Sequence, residues 1–456
     1  MTTISAEGED PAPARVASAA LFVVLTAGER LAHVVSRRLM LDPIAGIEIG
    51  RGQEHGYERT GGPARLVVPD SRMSAPHARL RRERDRWLIE DLGSKNGVLV
   101  DGERVARATL SDGDVIEVGH TFLVFREPAA LGPDRPGDAE VAAGAGPLTA
   151  LHPVLQTAFA RLVRVATSPL PVVIGGETGT GKERIARAIH EQSGRPGPLI
   201  AVNCGALPRS LLESELFGYR KGAFSGALHD KLGLIAASDQ GTLFLDEVAE
   251  LPLDAQAALL RVLEERAVLP VGATRPQPVD LRTVAATHRD LAAEVAAGRF
   301  RADLRARLDG FTITLPPLRD RREDLAVAAA EILVRFAPER PGLSLTLRAA
   351  RTLFAWGWPG NFRELARALE LAATMSDGDA LVIAPRAEDA PAPRTASAAP
   401  PPALRPPEAR RREELIARLR EHGGNVTEVA RATGKAREQI YRWLKAYQID
   451  PAEYRG

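Results

Sequence analysis

The chain has 456 residues, of which 45% are hydrophobic and 26% are charged, with 60 basic against 59 acidic side chains. That length corresponds to about three domains. The near-neutral net charge excludes a protein that attracts nucleic acid or another polyanion through its overall charge, so any such binding needs a local basic patch. The sequence lacks the run of roughly 18 to 20 apolar residues that a membrane-spanning helix needs. Its single cysteine, Cys204, excludes an internal disulfide, and its acidic first twenty residues lack a signal-peptide pattern. We therefore expect a cytoplasmic protein without a membrane partner.

Two stretches of linker-like composition divide the chain. Residues 127–147 combine four prolines with Gly, Ala and Asp, and residues 384–407 consist mostly of Ala and Pro. Such compositions bury too little apolar surface to offset the entropy of ordering the chain, so both stretches are predicted to be linkers. The sequence thus predicts folded domains over residues 20–126, 148–383 and 408–456.

The three domains differ in their apolar periodicity. In the first, short apolar runs stand between Gly and Asp turn signals, which predicts an all-β domain. In the second, strand-like runs alternate with helical stretches such as 181–192 and 253–265, which predicts an α/β sheet covered by helices, followed by a helical tail over residues 322–375. The strand-like runs are 172–174, 199–202, 242–245 and 283–286. The third has apolar residues at helical spacing, interrupted by glycines, and three short helices fit this pattern.

A glycine-rich segment in the second domain has the pattern of a phosphate-binding loop. Gly176-Glu-Thr-Gly-Thr-Gly-Lys182 satisfies G-x-x-x-x-G-K between a predicted strand and a predicted helix. In that context the backbone amides and the helix N-terminus bind phosphate oxygens, and Lys182 reaches the β- and γ-phosphates. Glu183 occupies a position where Ser or Thr is usual, so the hydroxyl ligand of Mg²⁺ has to come from Thr180, Thr178 or water. The predicted nucleotide-binding residues of the loop are Gly176, Glu177, Thr178, Gly179, Thr180, Gly181, Lys182 and Glu183.

Two adjacent carboxylates follow another strand-like run, in Thr242-Leu-Phe-Leu-Asp246-Glu247. In phosphoryl transfer, one carboxylate at the end of such a strand holds Mg²⁺, and the next orients or deprotonates the attacking water. We therefore assign the metal and nucleotide to Asp246 and the catalytic water to Glu247.

The segment Glu215-Leu-Phe-Gly-Tyr-Arg-Lys-Gly-Ala-Phe-Ser-Gly-Ala227 resembles the signature loop of bacterial enhancer-binding proteins, the AAA+ activators of sigma-54 RNA polymerase. The resemblance extends over residues 148–383. The family's usual sequence at this motif is GAFTGA, and this chain has Ser225 in place of the threonine. The resemblance implies that Phe224, at the loop tip, contacts the sigma factor and moves with hydrolysis. The implied sigma-contacting residues are Gly222, Ala223, Phe224, Ser225, Gly226 and Ala227.

The same resemblance implies roles for residues around the nucleotide. Asn203 corresponds to the family's switch asparagine, which restrains the catalytic glutamate. Thr287 lies in the sensor I strand, where His288 replaces a common asparagine, and Arg363 lies in the sensor II helix, against the nucleotide of its own subunit.

Arg301 and Arg307 correspond to the family's arginine-finger helix. A guanidinium supplied by a neighbouring subunit stabilises the negative charge that builds up on the γ-phosphate. Such a donation requires a head-to-tail interface, and a rotation that closes gives a ring. The resemblance implies a hexamer.

The first domain resembles a forkhead-associated (FHA) domain over residues 20–126. The matching motifs are Gly50-Arg51, Ser74-Ala-Pro-His77, Asp91-Leu-Gly-Ser-Lys-Asn96-Gly97, Leu110, Gly113-Asp114 and Gly119. Because an arginine can fork onto a phosphate, a serine hydroxyl can donate to it and an asparagine can bind a peptide backbone, the resemblance implies a phosphothreonine site. Its implied residues are Arg51, Ser74, Ser94 and Asn96, and His77 braces the loop rather than touching the phosphate.

The last domain resembles a Fis-type helix-turn-helix through Gly423-Gly-Asn-Val-Thr-Glu-Val-Ala and Arg437-Glu-Gln-Ile-Tyr-Arg-Trp-Leu-Lys445. If Ile440 and Leu444 face the core, a step of about 100° per residue turns the neighbouring polar side chains outward. Between Arg431 and Lys445, five basic residues stand against a single acidic one, Glu438, which gives a local positive patch. The predicted DNA-binding residues are Arg437, Gln439, Tyr441, Arg442 and Lys445.

The predicted fold class is therefore multidomain: an all-β FHA sandwich, then an α/β AAA+ ATPase with an α-helical lid, then an all-α helix-turn-helix. The predicted function is ATP-dependent activation of transcription, regulated by phosphothreonine recognition. The implied cofactors are ATP and Mg²⁺. The implied partners are enhancer DNA, sigma-54 RNA polymerase, a phosphothreonine-containing protein or Ser/Thr kinase, and further copies of the chain.

Two alternatives stay open at this point. One is a DNA-binding AAA+ regulator that does not act on sigma-54, which Ser225 and His288 motivate. The other is a phosphoprotein-binding scaffold without productive ATPase activity.

Overall fold

The computed structural model describes residues 19–42, 44–59, 63–84, 86–127, 137–206, 208–383, 415–419, 421–422, 425–433 and 440. The chain divides into two compact units, Met1–Asp389 and Ala390–Gly456. Among the helices of these described residues, none combines the length and the apolar composition needed to cross a membrane.

The N-terminal domain is a sandwich of two β-sheets. Its strands are β1 (Ala20–Thr26), β2 (Val35–Met40), β3 (Gly46–Arg51), β4 (Gly56–Glu58), β5 (Ala64–Val68), β6 (Ala78–Glu83), β7 (Arg86–Asp91), β8 (Val98–Val100), β9 (Glu103–Val105), β10 (Arg107–Thr109), β11 (Val115–Val118), β12 (Thr121–Arg126) and β13 (Ala139–Ala142). The sheet orders are β13-β2-β1-β12-β11-β8-β9 and β10-β7-β6-β3-β5-β4. Side chains such as Leu21, Ile49 and Leu123 fill the core between the sheets, which confirms the predicted all-β domain.

A parallel five-stranded sheet of order β15-β18-β21-β14-β22 forms the centre of the second domain. Its strands are β14 (Val172–Gly175), β15 (Leu199–Asn203), β18 (Thr242–Asp246), β21 (Arg282–Thr287) and β22 (Phe311–Thr314), and the short strands are β16 (Gly218–Tyr219), β17 (Lys231–Leu232), β19 (Ala267–Val268) and β20 (Gln277–Pro278). The helices are α1 (Pro153–Ala166), α2 (Lys182–Ser193), α3 (Arg209–Phe217), α4 (Leu234–Ala237), α5 (Leu253–Glu265), α6 (Leu291–Ala296) and α7 (Ala302–Leu308). Parallel strands align their carboxyl ends at one edge, and this brings the phosphate loop, Asp246 and Thr287 together.

A helical lid follows the sheet domain. It begins with two 3₁₀ turns, Leu318–Asp320 and Arg322–Asp324, which we call the hinge (residues 318–324). Its helices are α8 (Leu325–Phe336), α9 (Leu347–Ala355) and α10 (Asn361–Met375), with the short strands β23 (Ser344–Leu345) and β24 (Ala380–Leu381). The predicted helical tail over residues 322–375 is thus divided by a strand and by turns.

The N-terminal sandwich and the lid share one apolar core. In β1, Leu21 and Val23 face the interior of the sandwich, whereas Phe22 and Val24 pack with the lid. Because successive side chains of a strand lie on opposite faces, both faces of β1 are apolar and buried. The principal members of this shared core are Phe22, Val24, Leu31, Phe122 and Val124 from the sandwich and Leu333, Leu345, Ala350, Leu353 and Phe354 from the lid.

The prediction of an unstructured linker over residues 127–147 is wrong for its second part. Ala139–Ala142 form β13, which pairs antiparallel with β2 at the edge of the larger sheet. Asp138 helps to fix this strand, since its Oδ1 accepts a hydrogen bond of 2.8 Å from the backbone nitrogen of Met40. Backbone pairing to an open sheet edge orders this segment despite its composition. Residues 128–136, like the whole of the second predicted linker over 384–407, lie outside the described residues.

In the C-terminal unit, α11 (Val426–Thr433) packs with the helical residues 415–419. The small core contains Leu415, Leu419, Val426, Val429, Ala430 and Ile440, which agrees with the predicted helical spacing. Asn425 precedes α11, and its Oδ1 accepts hydrogen bonds from the amides of Thr427 and Glu428 at 3.1 and 3.4 Å. The predicted DNA-binding side chains Arg437, Gln439, Tyr441, Arg442 and Lys445 lie outside the described residues.

Candidate functional site

The phosphate loop runs from the end of β14 to the start of α2. Gly176 and Gly179 both have positive φ, 143° and 81°. A Cβ atom at Gly179 would lie 2.3 Å from the carbonyl oxygen of Gly360, and one at Gly176 would lie 2.8 Å from that of Leu315. Both positions therefore require glycine for conformation and for space.

Lys182 and Glu247 meet beside this loop. The Lys182 side chain is 6% exposed, and its Nζ donates hydrogen bonds to the carbonyl oxygens of Gly176 and Glu177 at 2.9 and 3.2 Å. The same Nζ lies 3.6 Å from Glu247 Oε1. The structure thus brings the predicted phosphate cation and the predicted catalytic carboxylate into one site.

Asp246 and Glu247 occupy the end of β18. Glu247 has a left-handed backbone with φ of 54°, and its amide donates a 3.1 Å hydrogen bond to Asp246 Oδ1. Burial raises the pKa of Asp246, and the neighbouring charge of Glu247 raises it further, against the lowering effect of Lys182. The two carboxylates Asp246 and Glu247 stand beside one ammonium group, that of Lys182, so the site carries excess negative charge that a further cation would neutralise.

His288, rather than Asn203, holds Glu247 in this structure. The Nδ1 atom of His288 lies 2.7 Å from Glu247 Oε2, and the His288 amide donates to the same oxygen at 3.3 Å. Asn203 Oδ1 instead accepts hydrogen bonds from the amides of Gly205 and Ala206, both at 3.0 Å. None of these hydrogen bonds joins Asn203 to Glu247. The contact that the switch role of Asn203 implies is therefore absent from them. His288 follows β21, which lies beside β18 in the sheet. This position is the sequence signal that could have identified His288 as the partner of Glu247.

Thr287 and Arg363 both lie next to the phosphate loop. Thr287 is buried and pairs with Gly175 in the parallel register, and its carbonyl accepts a 3.2 Å hydrogen bond from Gly176. Arg363 is in the first turn of α10, whose Phe362 amide donates a 2.9 Å hydrogen bond to the carbonyl of Gly179. The lid thus closes directly on the loop.

Three polar side chains of the lid and hinge also bind the phosphate loop, and the sequence reasoning missed them. Arg319 forms a bidentate pair with Glu177 at 2.6 and 2.9 Å, which lowers the pKa of that carboxyl. Arg321 donates to the carbonyl of Thr180 at 3.1 Å. Asn361 donates to Glu177 Oε2 and to the carbonyl of Thr178, both at 3.1 Å. Hinge and phosphate loop are therefore one hydrogen-bonded unit.

A small cleft of about 70 Å³ lies beside the loop. We call it the lid cleft. Its lining comes from three parts of the chain: the start of α2, the hinge and lid, and the segment that leads from β13 to α1. Representative lining residues are Val141, Pro147, Gly181, Arg321, Val327 and Phe362.

The structure does not bring Arg301 and Arg307 to the phosphate loop of their own chain. Arg301 is paired with Asp303 at 2.7 Å, and this pair raises the pKa of the guanidinium. Arg307 donates to the carbonyl of Leu263 at 2.6 Å. Both side chains are exposed; Arg301 directly precedes α7 and Arg307 lies in its last turn, and α7 packs on α5.

The signature loop projects between β16 and β17. Phe224 is 45% exposed, and its ring stands edge-on to that of Tyr219 with centroids 5.0 Å apart. The Gly222 amide donates to the carbonyl of Ala227 at 2.9 Å, which closes the loop. Ala227 itself is buried, so it supports the loop rather than presenting a surface.

The predicted phosphopeptide residues lie on neighbouring loops of the sandwich. Arg51 is exposed, and its amide donates to the carbonyl of Ser74 at 2.9 Å. Ser74 Oγ accepts a 3.2 Å hydrogen bond from the Lys95 amide, and Asn96 Nδ2 donates to the carbonyl of Arg72 at 2.6 Å. These contacts bring Arg51, Ser74 and Asn96 into one exposed region.

His77 and Ser94 stabilise these loops. His77 is fully buried, with Nδ1 accepting from the Ser74 amide at 2.9 Å and Nε2 lying 3.0 Å from the Gly97 carbonyl. Ser94 Oγ accepts a 2.9 Å hydrogen bond from the Gly97 amide. The bracing role implied for His77 agrees with this geometry, and the hydroxyl of Ser94 is occupied within the loop.

The family models match the chain in the same order as these domains. An FHA domain matches residues 47–119, a sigma-54 interaction domain residues 148–314, an AAA+ ATPase lid domain residues 319–389, and a homeodomain-like domain residues 406–452.

Several regulators are similar over much of the chain. The transcriptional regulatory protein ZraR of Escherichia coli O157:H7 is 41% identical over 331 residues, which cover 71% of each chain. The acetoin catabolism regulatory protein of Cupriavidus necator is 39% identical over 421 residues, covering 88% of this chain and 61% of its own. The solved structure of NtrX from Brucella abortus in complex with ATP is 32% identical and covers 67% of this chain and 70% of that one, with a TM-score of 0.48.

The chain spans about three fifths of the length of several curated relatives that it matches. The chain shares 41% identity with ZraR over 71% of the length of each, and its sigma-54 interaction domain is followed directly by the AAA+ ATPase lid domain. The chain therefore belongs to the family of sigma-54-dependent transcriptional regulators, and it carries an FHA domain in front of the AAA+ domain and a helix-turn-helix domain behind it.

Proposed function

We propose that this protein is an ATP-driven activator of transcription that binds enhancer DNA and remodels sigma-54 RNA polymerase so that promoters open. The observation that carries the proposal is the meeting of Lys182 and Glu247 beside a glycine loop, in a domain that also presents Phe224 on an exposed signature loop. The first pair supports ATP hydrolysis, and the second feature supports contact with a protein partner.

The residues of the site divide the work of hydrolysis. Lys182 and the loop amides bind the β- and γ-phosphates, and Glu247 orients or deprotonates the attacking water. The donor set also fits Mg²⁺, because Asp246 is a half-buried carboxylate with a second carboxylate, Glu247, beside it, and Mg²⁺ is usually bound by one or two carboxylates together with substrate phosphates. When bound, the metal would neutralise charge on the phosphate oxygens. Arg363, at the loop from the lid side, contacts the nucleotide of its own subunit.

Arg301 and Arg307 act on the nucleotide of a neighbouring subunit in this proposal. Both guanidinium groups are exposed and have no contact with the phosphate loop among the described residues. A cation at this position is effective only if a second copy docks head-to-tail, and a closed ring follows from that interface. A hexamer is the ring that we propose.

The FHA domain supplies the regulatory input. Arg51, Ser74 and Asn96 offer charged and polar groups in one exposed region, which suits a phosphothreonine with a charge of about −1.5 to −2 at neutral pH. The ligand is a phosphothreonine-containing protein, produced by a Ser/Thr kinase. The C-terminal domain binds DNA through Arg437, Gln439, Tyr441, Arg442 and Lys445.

An open-complex assay tests the proposal. Sigma-54 RNA polymerase, a supercoiled template and the full chain are incubated with ATP, and melted DNA is detected by permanganate footprinting. We expect ATP-dependent opening that Phe224→Ala abolishes while phosphate release continues. Phe336→Ala is the matched control, because Phe336 has almost the same exposure, 46%, on α8.

Two outcomes would favour the alternatives. Normal phosphate release without opening by sigma-54 polymerase points to a DNA-binding regulator with another target. If no phosphate is released in any condition and ATP has no effect on promoter opening, the protein is a scaffold.

A further inference from the structure

Two of the walls of the lid cleft are attached to the FHA domain. The first wall is the segment that runs from β13 to α1, and its Val141 belongs to β13, the edge strand of the FHA sheet. The second is the hinge, which carries Arg321. No part of the FHA domain was expected near a nucleotide, because residues 127–147 were predicted to be a linker.

A single buried guanidinium ties the first wall to the FHA sheet. Arg38 lies in β2 and is 2% exposed. Its Nε donates to the carbonyl of Gly137 at 3.0 Å, and its Nη1 donates to the carbonyl of Leu151 at 3.0 Å. Its Nη2 donates to Gln156 Oε1 in α1 at 2.8 Å. Arg38 thus holds the segment at a point before β13 and at two points after it.

Arg126, at the end of β12, holds the second wall. Its guanidinium donates to Glu323 Oε2 at 3.0 Å and also to the carbonyl of Asp320. Glu323 is fully buried, and its charge raises the pKa of Arg126 against the effect of burial. On its other side the same hinge binds the phosphate loop through Arg321 and Thr180. The ring of Phe362 packs beneath the Arg321 guanidinium at 4.6 Å.

The two walls are also joined to each other. Asp324 Oδ1 accepts a 2.7 Å hydrogen bond from the amide of Leu151, the residue whose carbonyl accepts from Arg38. Loss of either arginine would leave buried carbonyl or carboxylate groups without a partner, and such groups are costly. The walls would then shift to find new partners.

We propose that the docked FHA domain is a structural part of the nucleotide site, and that Arg38 and Arg126 are positioning residues that hold these two walls of the lid cleft beside the phosphate loop. This inference rests on the proposed binding of ATP to that loop. Because coupling of this kind is reciprocal, nucleotide binding also stabilises the docked position of the FHA domain.

Titration of the full chain with a fluorescent ADP analogue tests the positioning role. Arg38→Met and Arg126→Met should each weaken binding about tenfold or more, as expected when a buried hydrogen-bonded charge is lost. The KM for ATP should rise in parallel, while kcat changes little. Arg79→Met is the matched control, since Arg79 pairs with Glu48 at 2.7 Å on the other sheet of the sandwich, and it should bind the analogue as the wild type does.

The outcomes separate this inference from the proposed function. If the wild type binds the analogue and Lys182→Ala does not, but both arginine variants bind normally, the positioning role is wrong and the nucleotide site stands. If the wild type itself does not bind, the proposed function fails.

A measurement on the wild type covers the case in which the variants do not fold. Hydrogen–deuterium exchange of the full chain, with and without ADP, should show slower exchange of the amides in β2 and β13 when ADP is bound, and no change in β6. Equal exchange of β2 and β13 in both conditions overturns the inference.

Discussion

The ring of Phe122 in the FHA sheet lies flat against the ring of Phe354 in the lid, with centroids 4.9 Å apart and planes inclined by 10°. Both rings are buried. A polar pair joins the same two domains: Arg351 of α9 forms a bidentate pair with Glu117 of β11 at 2.7 and 2.8 Å. The FHA domain and the lid are therefore packed as the parts of a single domain would be.

Phe354→Ala should destabilise this packing. Removal of a buried phenylalanine costs about 3 to 5 kcal/mol, so we expect the urea midpoint to fall and the FHA domain to unfold separately from the rest. Circular dichroism and tryptophan fluorescence, followed together, would report the separation. Phe336→Ala, at an exposed site, should change the free energy of unfolding by only about 0.5 kcal/mol. Equal effects of the two substitutions would contradict the role of the shared core.

Lys182→Ala and Glu247→Gln should separate binding from hydrolysis. The first removes a phosphate cation and should abolish nucleotide binding, as measured by fluorescence titration. The second removes only the water-activating carboxylate, so it should bind ATP normally and lose roughly 100-fold or more in phosphate release. Wild-type affinity in Lys182→Ala would refute the assignment of the loop.

His288→Ala should raise the basal rate of phosphate release. The imidazole occupies Glu247 Oε2 at 2.7 Å, and its removal frees that oxygen for water. His288→Asn, which can still donate a hydrogen bond to the carboxylate, should stay close to the wild-type rate. A fall in the His288→Ala rate would instead mean that the histidine holds Glu247 in its productive position.

Arg51→Ala should remove the preference of the FHA domain for phosphothreonine peptides. A charge-assisted hydrogen bond contributes about 1.5 to 3 kcal/mol, which corresponds to at least a tenfold change in affinity. Calorimetry with matched phosphorylated and unphosphorylated peptides measures this difference. Arg65→Ala, an exposed arginine on β5, is the control and should keep the preference. Failure of the folded wild type to bind any such peptide would leave only the fold in common with FHA domains.

Asp324→Asn should alter how stability depends on pH. Burial, followed by the adjacent Glu323, raises the pKa of Asp324 from an ordinary 3.8 to about 7, although Arg321 and the amides of Leu151 and His152 oppose this. The native state therefore binds the proton more tightly than the unfolded state, and this stabilising contribution is complete below about pH 4 and lost as the pH rises through 7.

The comparison of wild type and variant isolates this contribution. His152 lies nearby, and burial lowers its pKa, so its own contribution falls as the pH falls and opposes that of Asp324. Urea midpoints between about pH 5.5 and 7.5 should decline with pH more steeply in the wild type than in Asp324→Asn. Parallel pH profiles would show that Asp324 does not titrate in this range.

The nucleotide site was predictable because each of its parts is a local pattern. A strand, a glycine loop and a helix identify Lys182, and a strand that ends in two carboxylates identifies Glu247. Parallel strands then bring both to one edge. The partner of Glu247 was not predictable in the same way, since the choice between Asn203 and His288 depends on side-chain rotamers at the ends of neighbouring strands.

The sequence contains an indication that the FHA domain docks on the lid, although the linker-like composition of residues 127–147 suggested two separate domains. Residues 20–25 and 122–125 are continuous apolar runs, which are typical of strands buried on both faces rather than of a strand with one solvated face. Strand β13 left a weaker signal, because its order comes from backbone pairing with β2 and from the buried Arg38. Neither contact is local in the chain.

The shared core also determines where the protein can be divided. A truncation that begins at about residue 148, at the boundary that composition suggests, would remove the cover from Leu353 and Phe354 and leave a large apolar patch on the lid. Patches of this kind drive self-association. The AAA+ domain and its FHA domain are consequently a single unit of folding, and exchange of the N-terminal domain for another one would require a matching change in the surface of the lid.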